Sequence, residues 1–402
     1  MNNKNVSPEL WEKVEVKASK SEEITRKSLT YWQDAWRRLK QNKLSMLGLS
    51  LIVIVILFAM FGSFFTEWDY STQELKNANL PPKMDVIQLN DHEYIFVHRE
   101  YTLFRVSEDG KIIERFEPTN SMLDIMQNKR RIYEIDGKDY NLDFSFISKA
   151  KLAGTIAEKA YELTVDGEEI VVTNSIWNKT YLFGSDDLGR DLFARVRYGA
   201  TISLLIALVA TLVQFFVGVF YGAISGYSGG NTDMIMMRIV DVIATVPLLL
   251  YVILLMVVIG PGLKTIILAM GLIYWVGMAR IVRGEVLSLK EQEFVMAAKT
   301  LGASSWRIIV RHLVPNALGP IIVSLAMMIP SAIFTEAFLS FIGLGVPAPM
   351  ASWGTLANDA VKALRSYPFQ LLWPSLAISI TVLSFNFFGD GLRNALDPKL
   401  RR

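Results

Sequence analysis

The most regular feature of the sequence is the alternation of long apolar runs with polar stretches. A first run, LSMLGLSLIVIVILFAMFGSFF at about residues 44–65, is long enough for a helix to cross a hydrocarbon core, which takes roughly 20 residues. Further runs at about 200–224, 239–259, 265–281, 321–344 and 371–388 predict five more crossings, about six in all. Just before the first run, Trp32, Trp36 and Leu39 recur at helical spacing while Arg37, Arg38, Lys40 and Lys43 crowd the boundary. That pattern predicts an interfacial helix within a 1–43 tail, with its anchor on the cytoplasmic side.

Residues 66–191 break this pattern. HEYIFVHREYTLFRV leads into Asp109-Gly110, RRIYEI into Asp136-Gly137, and YELTV into Asp166-Gly167. Asp-Gly between such runs favours a two-residue hairpin turn, in which both central residues take positive φ. Residues 148–161 can form a helix. The stretch reads as an inserted α+β or mainly β module, followed by a core of five spans over 192–402. Basic residues set the orientation: they gather before the first span, between the fourth and fifth (Arg280, Arg283, Lys290, Lys299, Arg307, Arg311) and from Arg393 to Arg402. The positive-inside rule makes those faces cytoplasmic. An even number of spans then puts both termini inside and the module outside. The expected fold is an all-α polytopic membrane bundle with an extracytoplasmic insertion.

Composition sharpens the picture. Of 402 residues, 51% are hydrophobic and 20% charged, and the net charge of +2 lacks the basic excess that nucleic-acid binding requires. With no cysteine and three histidines, thiolate metal sites, a cysteine nucleophile and metal catalysis are poor fits. The segment from Gly184 to Asp191 has the glycine spacing of a phosphate loop, but it lacks the following Lys-Ser/Thr pair and carries Asp186 and Asp187, which repel phosphate. No nucleophile constellation is present, so the chain is not expected to be an enzyme or to bind a cofactor of its own.

Inside the spans, Gly218, Gly222 and Gly226 form a bare stripe that suits either tight helix packing or a sliding seam. Glu336 lies deep in the fifth apolar run, where a lipid-facing carboxylate costs a few kcal/mol or more, so it faces a translocation path, a partner or another helix. Asp241 and Asp390 fit the span boundaries. Within the loop at 285–320, Glu293 to Leu301 predicts a short helix presenting Ala297 and Ala298. Gly302 ends it, Ser304 or Ser305 caps the next helix, and Pro315 and Pro320 bracket the start of the fifth span.

The order Ala297-Ala298, Gly302, Pro315 is similar to the coupling-loop motif of ABC importer permeases, with Met296, His312 and Val314 where that motif has glutamate, isoleucine and leucine. WRRLKQNKLSMLGL, FGSDDLGRDLFARVRYGATISL, ISGYSGG, RIVDVIATVPLLL, ARIVRGEVLSL, TEAFLSFIGLGVPAP and FNFFGDGLRNALDPKL extend the resemblance to the C-type permease of the oligopeptide/dipeptide family. It leaves out residues 1–28 and about 70–180. The resemblance implies a bacterial cell-membrane subunit forming half of a translocation path with a homologous second permease. It also implies ABC ATPase subunits that hold ATP and Mg²⁺ and grip Ala297, Ala298, Gly302 and Pro315, and a peptide-binding protein docking outside. Nickel and other small-solute importers use similar subunits. A non-transporting membrane receptor or scaffold is the reading from a different class. The module extends the docking surface, caps the external mouth, or is an insertion without a role of its own.

Overall fold

The computed structural model describes residues 30–153, 156 and 159–396. The tail before Thr30 and the basic end of the chain past Leu396 lie outside them. Among the described residues, five helices are long and apolar enough to cross a membrane: Lys43–Phe65 (the first span), Leu192–Ser228 (second), Leu263–Leu289 (fourth), Ser305–Leu344 (fifth) and Phe369–Leu396 (last). The third crossing, expected as one helix over 239–259, is instead a pair, Gly230–Thr245 and Leu248–Ile259, bent by 80°. Pro247 is the cause. It lacks an N–H and disfavours helical dihedrals in the residue before it, and Val246 is extended at φ −84°, ψ 123°. A count of six crossings holds only if the bent pair is one of them.

Two spans start earlier than their apolar runs. Asp191 caps the second, its carboxylate accepting from the Phe193 and Ala194 amides at 3.2 Å, so the helix includes Arg195 and Arg197. The fifth begins at Ser305, so the loop before it runs only from Lys290 to Ser304, and Pro315 and Pro320 do not bracket its start but lie within it. A wide π-type turn at Ile309–Leu313, immediately before Pro315, is where the helix absorbs a residue without a donor. Similar turns widen the second span at Gln214–Gly218 and the fifth at Ser340–Leu344.

Close packing holds the bundle together. The last span lies against the first, where a Cβ on Gly48 would stand 2.5 Å from the Ser384 carbonyl oxygen. Helix Tyr31–Gln41, opened by a reciprocal Thr30–Gln33 capping box, buries Ala35 and Leu39 and leaves Trp32 and Trp36 half exposed on its outer side. The expected single face of Trp32, Trp36 and Leu39 is thus divided, with Leu39 turned to the bundle. A short helix, Trp353–Val361, joins the fifth and last spans and buries Trp353 among them, its indole N–H donating to the Val196 carbonyl at 3.0 Å.

The polar segment folds into two antiparallel sheets. β1 (Lys83–Gln88), β2 (Glu93–Val97), β3 (Leu103–Ser107), β4 (Ile112–Arg115) and β9 (Asn174–Trp177) make one, in the order β4-β3-β2-β1-β9. β5 (Arg130–Ile135), β6 (Lys138–Asp143), β7 (Glu162–Val165) and β8 (Glu168–Ile170) make the other. Two of the three Asp-Gly turns take the expected form, with φ of 52° and 76° at Asp136-Gly137 and 52° and 86° at Asp166-Gly167. At Asp109-Gly110 only the glycine is left-handed, and the Ser107 amide bonds the Lys111 carbonyl across a three-residue loop. That glycine also faces the Trp177 carbonyl, 2.0 Å from where a Cβ would stand. The helix expected over 148–161 starts earlier and spans Ser145–Ala153, because the Asp143 carboxylate accepts from the Ser145 amide at 2.7 Å. Part of its expected remainder lies outside the described residues.

Candidate functional site

Helix Glu293–Thr300 is the short element expected between the fourth and fifth spans. Its end is set by Gly302 at φ +79°. The Gly302 amide bonds the Lys299 carbonyl and the Ala303 amide the Ala298 carbonyl, both at 3.0 Å, which closes the left-handed glycine cap. Ser304 then caps the fifth span through the Arg307 amide. Ala297 and Ala298 differ in exposure. Ala298 and Val295 are buried in a core with Val219 of the second span, Val286 of the fourth and Ile308 of the fifth, while Ala297 is exposed. Around Ala297 the surface carries Phe294, Met296, Leu301 and Trp306, with Leu301 87% exposed. The Lys299 ammonium lies 5.3 Å from the centre of the Tyr227 ring and ties the helix to the end of the second span. Pro315, although exposed, belongs to the fifth span, six residues beyond its wide turn's start at Ile309, and is not part of this short helix.

The glycine stripe lies against the fourth span. A Cβ on Gly218 would stand 2.6 Å from the Met278 Cβ, on Gly222 2.3 Å from the Ala279 carbonyl oxygen, and on Gly226 2.9 Å from the Arg283 carbonyl oxygen. At those separations the two backbones touch, as tight packing requires. Arg283 also clamps Asp233 of the bent pair with two hydrogen bonds of 2.6 Å, and Asp241 takes one from Arg280 at 2.9 Å. Neither pair was legible in advance, because each joins separate helices 39 or 50 residues apart.

Glu336 is fully buried and faces helices rather than lipid. Its carboxylate accepts from the Ser203 hydroxyl at 2.7 Å and the Ser340 hydroxyl at 2.8 Å, joining the second and fifth spans beside Trp353. The Gly184–Gly189 loop is likewise occupied from within. Asp186 accepts from the Leu188 and Arg190 amides at 2.9 Å, from Arg190 Nε at 2.7 Å and from Arg195 Nη1, so the amides a phosphate would need are already engaged.

The sheet module is fastened to the start of the last span. Arg99 donates to the Ser366 carbonyl, Tyr367 to Glu100 at 3.2 Å, and Gln370 to Asn79 at 2.9 Å and to the Ser185 carbonyl at 3.1 Å. The His98 ring stacks on Tyr367 with centroids 6.0 Å apart. His98 is 3% exposed, and burial holds its imidazole below the usual histidine range against the opposing pull of the Asn79 carbonyl and Glu100. Sequence reading missed this seam, since its partners stand up to 291 residues apart.

These elements describe a multi-pass membrane protein in which one short helix, rooted in three spans, is offered between two of them. Residues 218–402 match the family described as binding-protein-dependent transport system inner membrane component, and residues 30–82 match the N-terminal TM domain of oligopeptide transport permease C. The chain is 40% identical to the oligopeptide transport system permease protein OppC of Bacillus subtilis over 398 residues, 99% of both chains. It is 39% identical to the dipeptide transport system permease protein DppC of the same organism, covering 96% of this chain and 91% of that one. With OppC of Escherichia coli it shares 46% identity over 221 residues, 55% of this chain and 73% of that one. The chain belongs to the oligopeptide/dipeptide ABC permease family, and it is the permease subunit of a binding-protein-dependent importer. Its relatives are transport subunits rather than enzymes. The match to the Bacillus protein runs the full length and therefore includes the sheet module, where the sequence resemblance was expected to stop.

Proposed function

We propose that the chain forms half of a translocation path for oligopeptides or dipeptides, its other half being a homologous permease. In this reading ABC ATPase subunits, which hold the ATP and Mg²⁺, grip helix Glu293–Thr300 from the cytoplasm, and a peptide-binding protein delivers cargo to the sheet module outside. The observation that carries it is the exposed apolar collar of Phe294, Met296, Leu301 and Trp306 around a helix whose other face is fixed in the core. An apolar patch of that kind marks a protein interface. A helix packed against three spans passes a displacement to all of them, because close-packed interiors transmit strain. Basic residues around the short helix support its cytoplasmic placement, and with the bent pair as one crossing both termini share that side. ATP and loaded receptor then drive import by favouring different conformations of the bundle.

The test is affinity purification of the tagged full chain from its own membrane, with the captured proteins identified by mass spectrometry. The expected set is a second permease, ABC ATPases and a solute-binding protein. Capture of the chain with no ATPase would overturn the assignment of helix Glu293–Thr300 as the ATPase docking element.

A further inference from the structure

The seam between the sheet module and the last span opens into three adjoining clefts. The first, about 580 Å³, lies between the module and residues 366–369, and Lys83, Tyr101, Tyr161, Tyr367 and Phe369 are on its walls. A second, about 290 Å³, shares Asn79, Ser366 and Tyr367 with the first and adds Asp187 and Asp359. The third, about 360 Å³, shares those two aspartates and reaches Gly343, Gly345 and Pro261 at the outer turns of the spans. The hydrogen bonds from Arg99 to Ser366 and from Tyr367 to Glu100 hold the first cleft's walls together. The clefts thus lead from the module towards the mouth of the bundle.

Their chemistry is amphoteric. Arg190 and Arg195 are both committed to Asp186, and stand 3.9 Å from Asp187 and 3.8 Å from Asp359 respectively, too long for hydrogen bonds. The two outer carboxylates, 68% and 49% exposed, are therefore left with free acceptor capacity. Arg195, with its side chain 3% exposed and its Nε without a partner among the described residues, also lines the third cleft. Lys83 lines only the first, together with Asp85 and Arg99, and Lys362 lines the second beside Asp187 and Asp359.

We infer that these clefts form a vestibule holding an extended peptide on its way to the path, with its α-ammonium at Asp187 and Asp359. This rests on the peptide reading given above. The tyrosine-lined first cleft gives side chains an apolar yet polar-tipped wall, which accepts varied sequences. Recognition of the α-ammonium fits an importer of many peptides, since every unblocked peptide carries one. The inserted module then supplies one wall of the cargo's route.

The test uses the whole importer in vesicles, with tri-alanine, N-acetyl-tri-alanine and a tripeptide carrying a central benzophenone as probes. Photo-crosslinks are expected in segments 79–101 and 358–367, competed by tri-alanine and far less by the acetylated form. Asp359→Asn should raise KM for tri-alanine uptake about fivefold with kcat kept, as loss of a partly exposed charge pair implies, and Asp359→Glu should restore it. Ala160→Trp, which adds bulk to the first cleft from an exposed position, should also raise KM. If the wild type imports tri-alanine but crosslinks fall elsewhere, or both peptides compete equally, or KM is unmoved in both Asp359→Asn and Ala160→Trp, the vestibule is overturned while the peptide reading stands. If the wild type imports no peptide, both fall.

Discussion

Single residues fix this fold where backbones meet. Gly222 has room for nothing: a Cβ there would lie 2.3 Å from the Ala279 carbonyl oxygen, whereas one on Gly271 would meet only Val213 methyls at 3.8 Å and beyond. Overpacking of a close contact costs about 1–3 kcal/mol, so Gly222→Ala should lower the thermal unfolding midpoint in detergent, and Gly271→Ala should leave it unchanged or raise it through helix propensity. Equal effects of the two would contradict tight packing along the stripe. The stripe itself was readable from its four-residue spacing, but its partner was not, since nothing in the spacing of Gly218, Gly222 and Gly226 distinguishes one neighbouring helix from another. Two of the Asp-Gly turns were equally readable, because positive φ at both positions is a local demand. Asp109-Gly110 departed from the pattern because its hairpin closes over three residues between Ser107 and Lys111, a loop that needs only its last residue left-handed.

Elements were legible where local signals agree. The short helix Glu293–Thr300 and its glycine end followed from a run of helix formers closed by Gly302, and the cap hydrogen bonds bear this out. Its two alanines were not separable in sequence, because which one is buried depends on the turn by which the fourth span delivers the chain. Wide turns and the break at Pro247 were missed for a related reason: apolar composition reports burial in lipid and carries little information on helix continuity. The sheet module and last span were legible apart but not together. His98 sits at their seam, stacked on Tyr367 and bonded through Nε2 to the Asn79 carbonyl at 3.0 Å. Its folded-state value lies below the ordinary one of about 6.5, so as pH falls through that range the released state takes up a proton that the docked state refuses. Docking is therefore fully stable above the ordinary histidine range and weakens as pH drops towards the depressed value. Hydrogen exchange of segment 362–372, corrected for intrinsic rates, should quicken at pH 5.5 relative to pH 7.5, and His98→Gln should remove that difference. A seam indifferent to pH in the wild type would contradict the assignment.

At the scale of the molecule, three parts are joined through the bundle: a short helix on one side, close-packed spans, and a sheet module on the other. The arrangement links the module to the second span through Ser185 and Asp186 and to the last span through Gln370, while the short helix grips the second, fourth and fifth spans through Val295, Ala298 and Lys299. The second span thus reaches both ends of the device. Overall organisation was legible because lipid imposes length and hydropathy on every crossing. The proposed working surfaces were not, since they are built from exposed residues such as Phe294, Leu301 and Asp359 whose value depends on what they face.

The central claim is that import is driven through the exposed side of helix Glu293–Thr300. ATP-driven accumulation of labelled tri-alanine by vesicles containing the whole importer, compared between wild type and Ala297→Arg, tests it most directly. Ala297 is exposed, so the arginine leaves the bundle intact but sets a bulky charge in the middle of the apolar collar. The expected result is uptake by the wild type and a loss of more than about tenfold in the variant, with the two permeases still co-purifying and the bound ATPase diminished, as a bulky charge set into the centre of an interface predicts. Undiminished uptake by Ala297→Arg with its ATPase still bound would contradict the account.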